Sequence, residues 1–151
     1  MPQSLSRLWT HLIFSTKDRF PFLKEPEIRN DMHAYLAKVL RSHDCETLIV
    51  GGVTDHIHAL FDLSRKYCIA TVVKEIKRTS SAWIKEVSPS CRKFGWQNGY
   101  GAFSVSQSDV DRVYRYIERQ EEHHQRVSFE DEFRTFLKKY RIDYDERYVW
   151  D

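Results

Sequence analysis

The chain has 151 residues, of which 30% are charged and 14% aromatic, and its formal net charge is +2. This length and composition are typical of one folded domain and exclude a disordered or collagen-like chain. No apolar run approaches the ~20 residues that span a bilayer, and the N-terminus lacks the basic-then-apolar pattern of a signal peptide. We therefore expect a cytosolic protein, consistent with three widely spaced cysteines that form no CxxC pair, Cys45, Cys68 and Cys91.

The first half of the chain predicts three strands and one helix. Residues 7–16 are rich in β-branched and aromatic side chains, which indicates a strand. Residues 25–43 have apolar side chains at helical spacing after a proline, which predicts a helix. Residues 45–52 and 56–63 are two further strands separated by a short turn, so we expect them to pair in antiparallel fashion.

The second half adds two long helices, a strand and a shorter helix. We predict a helix over 69–87, a glycine-punctuated strand region over 94–107, a third helix over about 108–124 and a last helix over 129–140, followed by a tail. The resulting β-α-β-β-α-β order predicts an α+β fold with a ferredoxin-like core, an antiparallel sheet with its helices on one face. No linker divides the chain, so residues 1–151 are expected to form a single domain.

The stretch "TDHIHALFDL" places two histidines two residues apart in a predicted strand. Side chains alternate along a strand, so His56 and His58 share one face and Ile57 points to the other. Two neutral imidazoles side by side can bind one metal ion. The alternative is a pair of half-exposed histidines without a ligand, and two ligands alone make an incomplete site.

The predicted third helix contains a candidate nucleophile and a candidate third ligand. Tyr116 and Gln120 are four residues apart, so they lie together at the edge of the apolar stripe of that helix. Alternatively, they are a boundary aromatic residue and a solvated amide. A tyrosine with an ordinary pKa near ~10 attacks poorly at neutral pH unless a metal ion polarises its target, and a phosphodiester suits that chemistry. An amide oxygen and two imidazoles suit Mg²⁺ or Mn²⁺ better than a closed zinc site.

Five stretches together resemble a known family, the single-tyrosine HUH transposases, which are TnpA-type enzymes of small bacterial insertion sequences. They are "HLIFSTKDRFPFL", "DHIHAL", "GYGAFSVS", "YIERQEEHH" and "YDERYVW", in that family's order and spacing. The resemblance covers nearly the whole chain. Thr54 is a small departure, since many relatives have proline at this position.

The resemblance implies a transposase that cleaves and rejoins single-stranded DNA at insertion-sequence ends. By analogy, His56, His58 and Gln120 bind a divalent metal ion, Mg²⁺ or Mn²⁺, without a nucleotide cofactor. Tyr116 attacks the scissile phosphate, forming a 5′-phosphotyrosine link and freeing a 3′-OH. Family members act as homodimers that recognise DNA hairpins, and the tyrosine helix of one subunit can complete the partner's site. Residues 106–109, "SQSD", are a candidate hinge for such an exchange.

Basic residues in two regions are candidate DNA contacts, because phosphate backbones require positive charge. One region is the loop after the first predicted strand, and the other is the helix predicted over 69–87 with the residues just beyond it. A solvated helix face is the alternative for each of them. The candidates are Lys17, Arg19, Lys74, Lys77, Arg78, Lys85, Arg92 and Lys93. His124 shares a helix face with Gln120, but a histidine favoured by the helix C-terminus is the preferred interpretation.

Three other functions remain open at the level of sequence. One is a domesticated relative that processes repetitive palindromes instead of mobilising its own element. Another is a non-catalytic hairpin-DNA-binding protein in which Tyr116 is structural. A metal-dependent hydrolase that uses His56 and His58 with a water nucleophile is the last.

Overall fold

Four antiparallel strands form one sheet in the order β2-β3-β1-β4 in a computed structural model that describes residues 2–151. The strands are β1 (Trp9–Ser15), β2 (Glu46–Gly52), β3 (His56–Asp62) and β4 (Gly101–Ser104). The helices are α1 (Pro26–Ser42), α2 (Ile69–Val87), α3 (Val110–Glu118), α4 (Gln120–His123) and α5 (Phe129–Lys139). The predicted α+β fold with a ferredoxin-like core is therefore confirmed.

Helices α1 and α2 cover one face of the sheet and enclose the main hydrophobic core. Phe14 on β1 and Ile57 on β3 are fully buried against Leu36 of α1 and Ile76 of α2. The helix α2 matches its predicted bounds, 69–87, because a continuous apolar stripe ends just before Pro89. Within residues 2–151, no helix is both long and apolar enough to span a lipid bilayer.

The opposite face of the sheet is covered by the C-terminal helices, which pack in two separate clusters. Ile117 of α3 packs with Trp9 and Leu60, whereas Phe133 of α5 packs with Ile13. The two histidines of β3 lie on this face between the clusters. The C-terminal helices thus enclose the candidate site rather than extending the main core.

The predicted helix over 108–124 is divided in the structure. A short 3₁₀ turn precedes α3, and Arg119, with φ −100° and ψ 23°, separates α3 from α4. Ser108 makes no cap to the helix, and its hydroxyl lies 3.1 Å from that of Ser106. Tyr116 and Gln120 therefore belong to two consecutive helical segments rather than to one continuous helix.

Two glycines allow the C-terminal helices to approach the sheet closely. Gly51, His58, Ile13 and Gly101 form one row across four strands and point to the same face. A Cβ atom at Gly51 would lie 2.9 Å from the carbonyl oxygen of Ile117, and one at Gly101 would lie 2.9 Å from the Phe133 ring. Both distances are shorter than ordinary contacts. The missing side chains at Gly51 and Gly101 therefore allow α3 and α5 to lie this close to the sheet, above the histidines.

Substituting Gly51 with alanine is expected to destabilise the protein by about 1–3 kcal/mol, because the new methyl group meets the backbone of α3 and forces it outward. Gly95→Ala is the matched control, since its Cβ would lie 3.6 Å from Lys17, an ordinary contact. Denaturant unfolding of the two variants provides the measurement. Equal midpoints for Gly51→Ala, Gly95→Ala and the wild type would contradict this account of how α3 is positioned.

Candidate active site

The His56–His58 pair lies at the centre of the C-terminal face of the sheet. Both imidazoles are fully buried, and Ile57 between them points into the main core, as the strand alternation predicted. The cross-strand partners of His56 and His58 are Ser15 and Ile13 of β1. The backbone of β3 therefore fixes both rings side by side beneath α3 and α5.

Each histidine is oriented by a partner on its Nδ1 atom. Nδ1 of His56 lies 2.7 Å from the Asp55 carboxylate, and Nδ1 of His58 lies 2.8 Å from Nε2 of His11. Histidines that bind metals typically use one ring nitrogen for the metal and the other for such an orienting hydrogen bond. Both Nε2 atoms consequently face the same enclosed region. No pattern in the sequence pointed to His11, although its position on β1 places it on this face.

Glu132, on α5, occupies the centre of that region. Its Oε1 atom lies 2.9 Å from Nε2 of His58 and 3.4 Å from Nε2 of His56, and the residue is only 2% exposed. Sequence reasoning missed it, because a glutamate within the charged segment "FEDEF" resembles a solvated helix residue. Its burial follows from the packing of Phe129 and Phe133 on either side of it against the sheet.

The side chains of Tyr116 and Gln120 also contact the Glu132 carboxylate. The Tyr116 hydroxyl donates a hydrogen bond to Oε2 of Glu132 and lies 3.2 Å from Nε2 of His123. The amide oxygen of Gln120 lies 3.3 Å from Nε2 of His56, and its amide nitrogen donates to Glu132 over 3.4 Å. The structure thus brings together all four residues that the sequence selected, within one chain.

His124 also belongs to the cluster. Its Nε2 atom lies 2.9 Å from Nε2 of His56 and 3.1 Å from Oε2 of Glu132, while its Nδ1 atom contacts the carbonyl of Val127. The preferred sequence interpretation, a histidine explained by the helix end alone, omitted these contacts. Potential ligand atoms of His56, His58, His124 and Glu132 all lie within 4.8 Å of one another. Donor atoms this close together could coordinate one metal ion.

Burial and charge perturb the proton affinities of these groups. Burial alone would lower the pKa of His56, but hydrogen bonds to Asp55 and Glu132 raise it to about 9. Burial lowers the pKa of His58 to about 4 despite the nearby carboxylate. Burial would raise the pKa of Glu132, yet the surrounding imidazoles hold it well below its usual range. Burial and the Glu132 carboxylate both raise the pKa of the Tyr116 hydroxyl, so the phenol is neutral in this arrangement.

The raised pKa of His56 predicts a contribution to the stability of the metal-free protein that is lost as the pH rises above neutrality. An unfolded histidine releases its proton near pH 6.5, whereas folded His56 keeps it to about pH 9. Between pH 6.5 and 8 the His56 contribution to the free energy of unfolding should therefore fall by about 1–2 kcal/mol. Burial lowers the pKa of His11, His33 and His58, so these histidines change the free energy of unfolding in the opposite direction over this range.

Urea unfolding in the presence of a chelator measures this effect. The comparison with Glu132→Gln isolates His56, because this change removes a charged partner of His56, whereas Lys77, whose pKa is lowered by burial to about 8, titrates alike in both proteins. The free energy of unfolding should fall more steeply with pH, or rise less steeply, in the wild type than in Glu132→Gln. Equal pH slopes for the two proteins would contradict the charged state of His56.

The eight basic residues selected as DNA contacts lie on the surface in separate groups. Lys17, Arg92 and Lys93 line one cleft of about 610 Å³ together with Phe20, which is 58% exposed. The α2 residues Lys74, Lys77 and Arg78 line another, of about 380 Å³, beside residues 96–100. Lys85 is exposed nearer the C-terminal end of α2.

Three of these residues have partners within the protein, and Arg78 donates to the Glu75 carboxylate at 2.7 Å. The Lys77 ammonium donates to the carbonyl oxygens of Gln97 and Gly99, both at 2.7 Å, which ties α2 to the segment before β4. Arg19 donates to the carbonyl of Trp150 at 3.0 Å and thereby holds the C-terminal tail. Both contacts stabilise the fold, so a DNA role for Lys77 and Arg19 remains a prediction.

Comparison with solved structures supports the fold. A candidate transposase from Deinococcus radiodurans aligns with a TM-score of 0.62 and 22% identity, over 80% of this chain and 95% of its own. A REP-associated tyrosine transposase bound to a REP hairpin aligns with a TM-score of 0.57 and 16% identity, over 84% of this chain and 76% of its own. No match was found among curated proteins.

Comparison with family models identifies the chain more directly. Residues 4–120 match the model described as "Transposase IS200 like". That match spans β1 to the start of α4, and so includes the two histidines of β3, Tyr116 and Gln120. Because it covers well over half of the sequence, this chain belongs to the IS200-like transposase family.

Proposed function

We propose that this protein cleaves and rejoins single-stranded DNA at insertion-sequence ends, with Tyr116 as the nucleophile and a 5′-phosphotyrosine intermediate. The observation that supports this most strongly is the convergence of the Tyr116 hydroxyl with His56 and His58 around Glu132. A tyrosine that attacks a metal-bound phosphate must lie next to the metal ligands, and Tyr116 has this position.

The donor atoms in this cluster fit a divalent metal ion. We assign His56, His58 and Gln120 as ligands, with the Glu132 carboxylate as an additional donor. Both histidine Nδ1 atoms already have partners, so their Nε2 atoms are the ones left for a metal. Oxygen donors from an amide and a carboxylate favour Mg²⁺ or Mn²⁺. When bound, the ion would polarise the scissile phosphate and offset its negative charge.

The protein's own residues account for positioning and proton movement. Glu132 accepts the hydrogen bond of the Tyr116 hydroxyl and so orients the phenol oxygen. As the tyrosine O–P bond forms, the P–O3′ bond breaks and the phenol proton passes by way of Glu132 to the departing O3′, which leaves a free 3′-OH on one strand and a 5′-phosphate on Tyr116. Attack by another 3′-OH reverses these changes and joins the strands. No ATP is needed, because the phosphotyrosine link conserves the bond energy.

We propose DNA hairpins as the recognised substrate. The fold-level neighbour described as bound to a REP hairpin supports this choice. The cleft with Lys17, Arg92, Lys93 and exposed Phe20 combines positive charge with an aromatic ring, a combination suited to a hairpin with unpaired bases. The remaining candidates, Arg19, Lys74, Lys77, Arg78 and Lys85, are proposed as phosphate contacts.

We also propose that the enzyme is a homodimer that acts on DNA in the bacterial or archaeal cytosol. Tyr116 contacts Glu132 of its own chain here, so the cluster is complete within one subunit. An exchange of tyrosine helices between subunits would require α3 to move about residues 106–109. A domesticated relative that processes palindromes would use the same chemistry and differ only in its DNA.

The proposed chemistry is tested with single-stranded DNA that spans the ends of the element encoding this chain, with Mg²⁺ or Mn²⁺ added. We expect a covalent protein–DNA adduct on a denaturing gel, absent in chelator, and mass spectrometry should place it at Tyr116. Cleavage without any covalent species would instead support a hydrolase. Hairpin binding without cleavage would support a non-catalytic binding protein.

A further inference from the structure

The surface of α3 next to Tyr116 forms a cleft lined by four arginines. Arg112, Arg115 and Arg119 line it from α3 and its C-terminal end, and Arg126 lines it from the segment after α4. The cleft has a volume of about 620 Å³, and Tyr116 lies in its wall. None of these arginines was among the DNA contacts selected from the sequence.

Helical spacing explains why the arginines lie beside the nucleophile. Residues three, four and seven positions apart share one face of a helix, so Arg112, Arg119 and Tyr116 face the same side of α3. All four arginines are exposed. The cleft is therefore a surface that a ligand can reach.

The charges in this cleft are poorly neutralised by the protein. Within residues 2–151, Arg115, Arg119 and Arg126 have no carboxylate within 4.0 Å, and Arg112 approaches Asp109 only to 3.7 Å. Several arginines elsewhere have a close carboxylate partner, as Arg134 has in Glu146 at 2.7 Å. Glu122 is the one acidic residue among those lining the cleft. Four guanidinium groups around one cleft repel each other unless an anion lies between them.

The cleft meets a second, largely apolar cavity at the nucleophile. That cavity, of about 360 Å³, shares Arg112, Tyr116, His123 and Val127 with the arginine cleft, and its other lining residues include Phe136 and Tyr140. Tyr116 thus lies where a positively charged surface joins an aromatic one. Single-stranded nucleic acids need both surfaces, one for phosphates and one for bases.

We propose that the arginine cleft binds consecutive phosphates of the single strand and directs the scissile phosphate to Tyr116. This inference rests on the proposed function and adds the path of the strand through the protein. Guanidinium groups suit the task because their planar forks match phosphate oxygens. The strand would therefore reach Tyr116 from the α3 side, separately from the hairpin cleft at Lys17.

The test uses fluorescein-labelled dT15, which has no hairpin, and follows its binding by fluorescence anisotropy at several KCl concentrations. The triple variant Arg115→Ala, Arg119→Ala, Arg126→Ala should bind at least about 10-fold more weakly, and the slope of log K against log[salt] should decrease by about 2. The triple Arg→Lys variant keeps the charges but loses the planar forks, so it should keep the wild-type salt slope and bind no more than about 3-fold more weakly.

A charge-matched control separates this path from general attraction. The variant Lys38→Ala, Arg65→Ala, Lys66→Ala removes three exposed positive charges outside the cleft and should bind dT15 like the wild type. An equal loss in this control, or no loss in the arginine variant, would overturn the inference. If the wild type binds dT15 through the arginines but forms no adduct, the strand path stands and the Tyr116 chemistry fails. Thermal melting by circular dichroism confirms that each variant is folded.

Discussion

Tyr116→Phe is expected to abolish the covalent protein–DNA adduct and to reduce strand cleavage at least about 10³-fold. Phenylalanine has no oxygen to attack phosphorus, and no other tyrosine contacts Glu132 among residues 2–151. Hairpin binding should be unchanged, because the basic clefts do not depend on the hydroxyl. A denaturing gel measures the adduct, and a native binding assay with the same DNA measures the hairpin affinity.

Tyr114→Phe is the matched control for this substitution. Tyr114 lies two residues away on α3, is 36% exposed and belongs to neither hydrophobic cluster nor the histidine site. It should form the adduct at the wild-type rate. An adduct that persists in Tyr116→Phe would show that the nucleophile is misassigned. Loss of Tyr116's hydrogen bond to the Glu132 carboxylate should cost about 1.5–3 kcal/mol in stability, and Glu132 keeps its contacts with His58 and His124, so the variant is expected to fold.

His58→Ala is expected to weaken Mn²⁺ binding at least about 100-fold and to remove the adduct. Loss of an orienting residue alone typically costs a metal site 10–100-fold, and His58 is assigned as a direct ligand. Calorimetric titration of metal-free protein with Mn²⁺ provides the measurement. His43→Ala is the control, since His43 lies at the C-terminal end of α1 and contacts Val39 rather than the cluster. Unchanged Mn²⁺ affinity in His58→Ala would refute the metal assignment.

Two further variants identify the third ligand. Gln120→Ala should weaken Mn²⁺ binding about 10-fold if the amide oxygen near His56 coordinates the metal. Glu132→Gln retains the shape of the side chain but removes its charge, so it isolates the contribution of the carboxylate. An effect of Glu132→Gln without an effect of Gln120→Ala would replace Gln120 by Glu132 as the third ligand.

Most of the secondary structure followed from local patterns, but the strand region predicted over 94–107 is reduced to β4, Gly101–Ser104. The bounds of α2 were predicted from an apolar stripe and a terminating proline, and α5 was predicted within one residue. The division at Arg119 was not predicted, because no glycine or proline marks it. It coincides with the point where Gln120 turns towards His56 and becomes buried. Tertiary contacts of a functional residue thus override the local preference for one long helix.

The faces of β3 could be predicted from the order of its residues alone. Alternation along a strand depends only on backbone geometry. The sequence therefore predicted that Ile57 points into the core and that His56 and His58 share the opposite face. Helical spacing likewise placed Tyr116 near Gln120. These arguments concern residues within one element, where the periodicity of the backbone defines their relative positions.

The residues that surround these side chains depend instead on the packing of distant elements. Glu132 lies 74 residues after His58 and reaches it because α5 packs on the sheet at Gly101, a contact that no local pattern encodes. The positions of His11, His124 and the arginine cleft likewise depend on contacts between elements that are distant in sequence. Distances between elements depend on how their side chains pack together, and packing is a property of the whole chain rather than of any one segment.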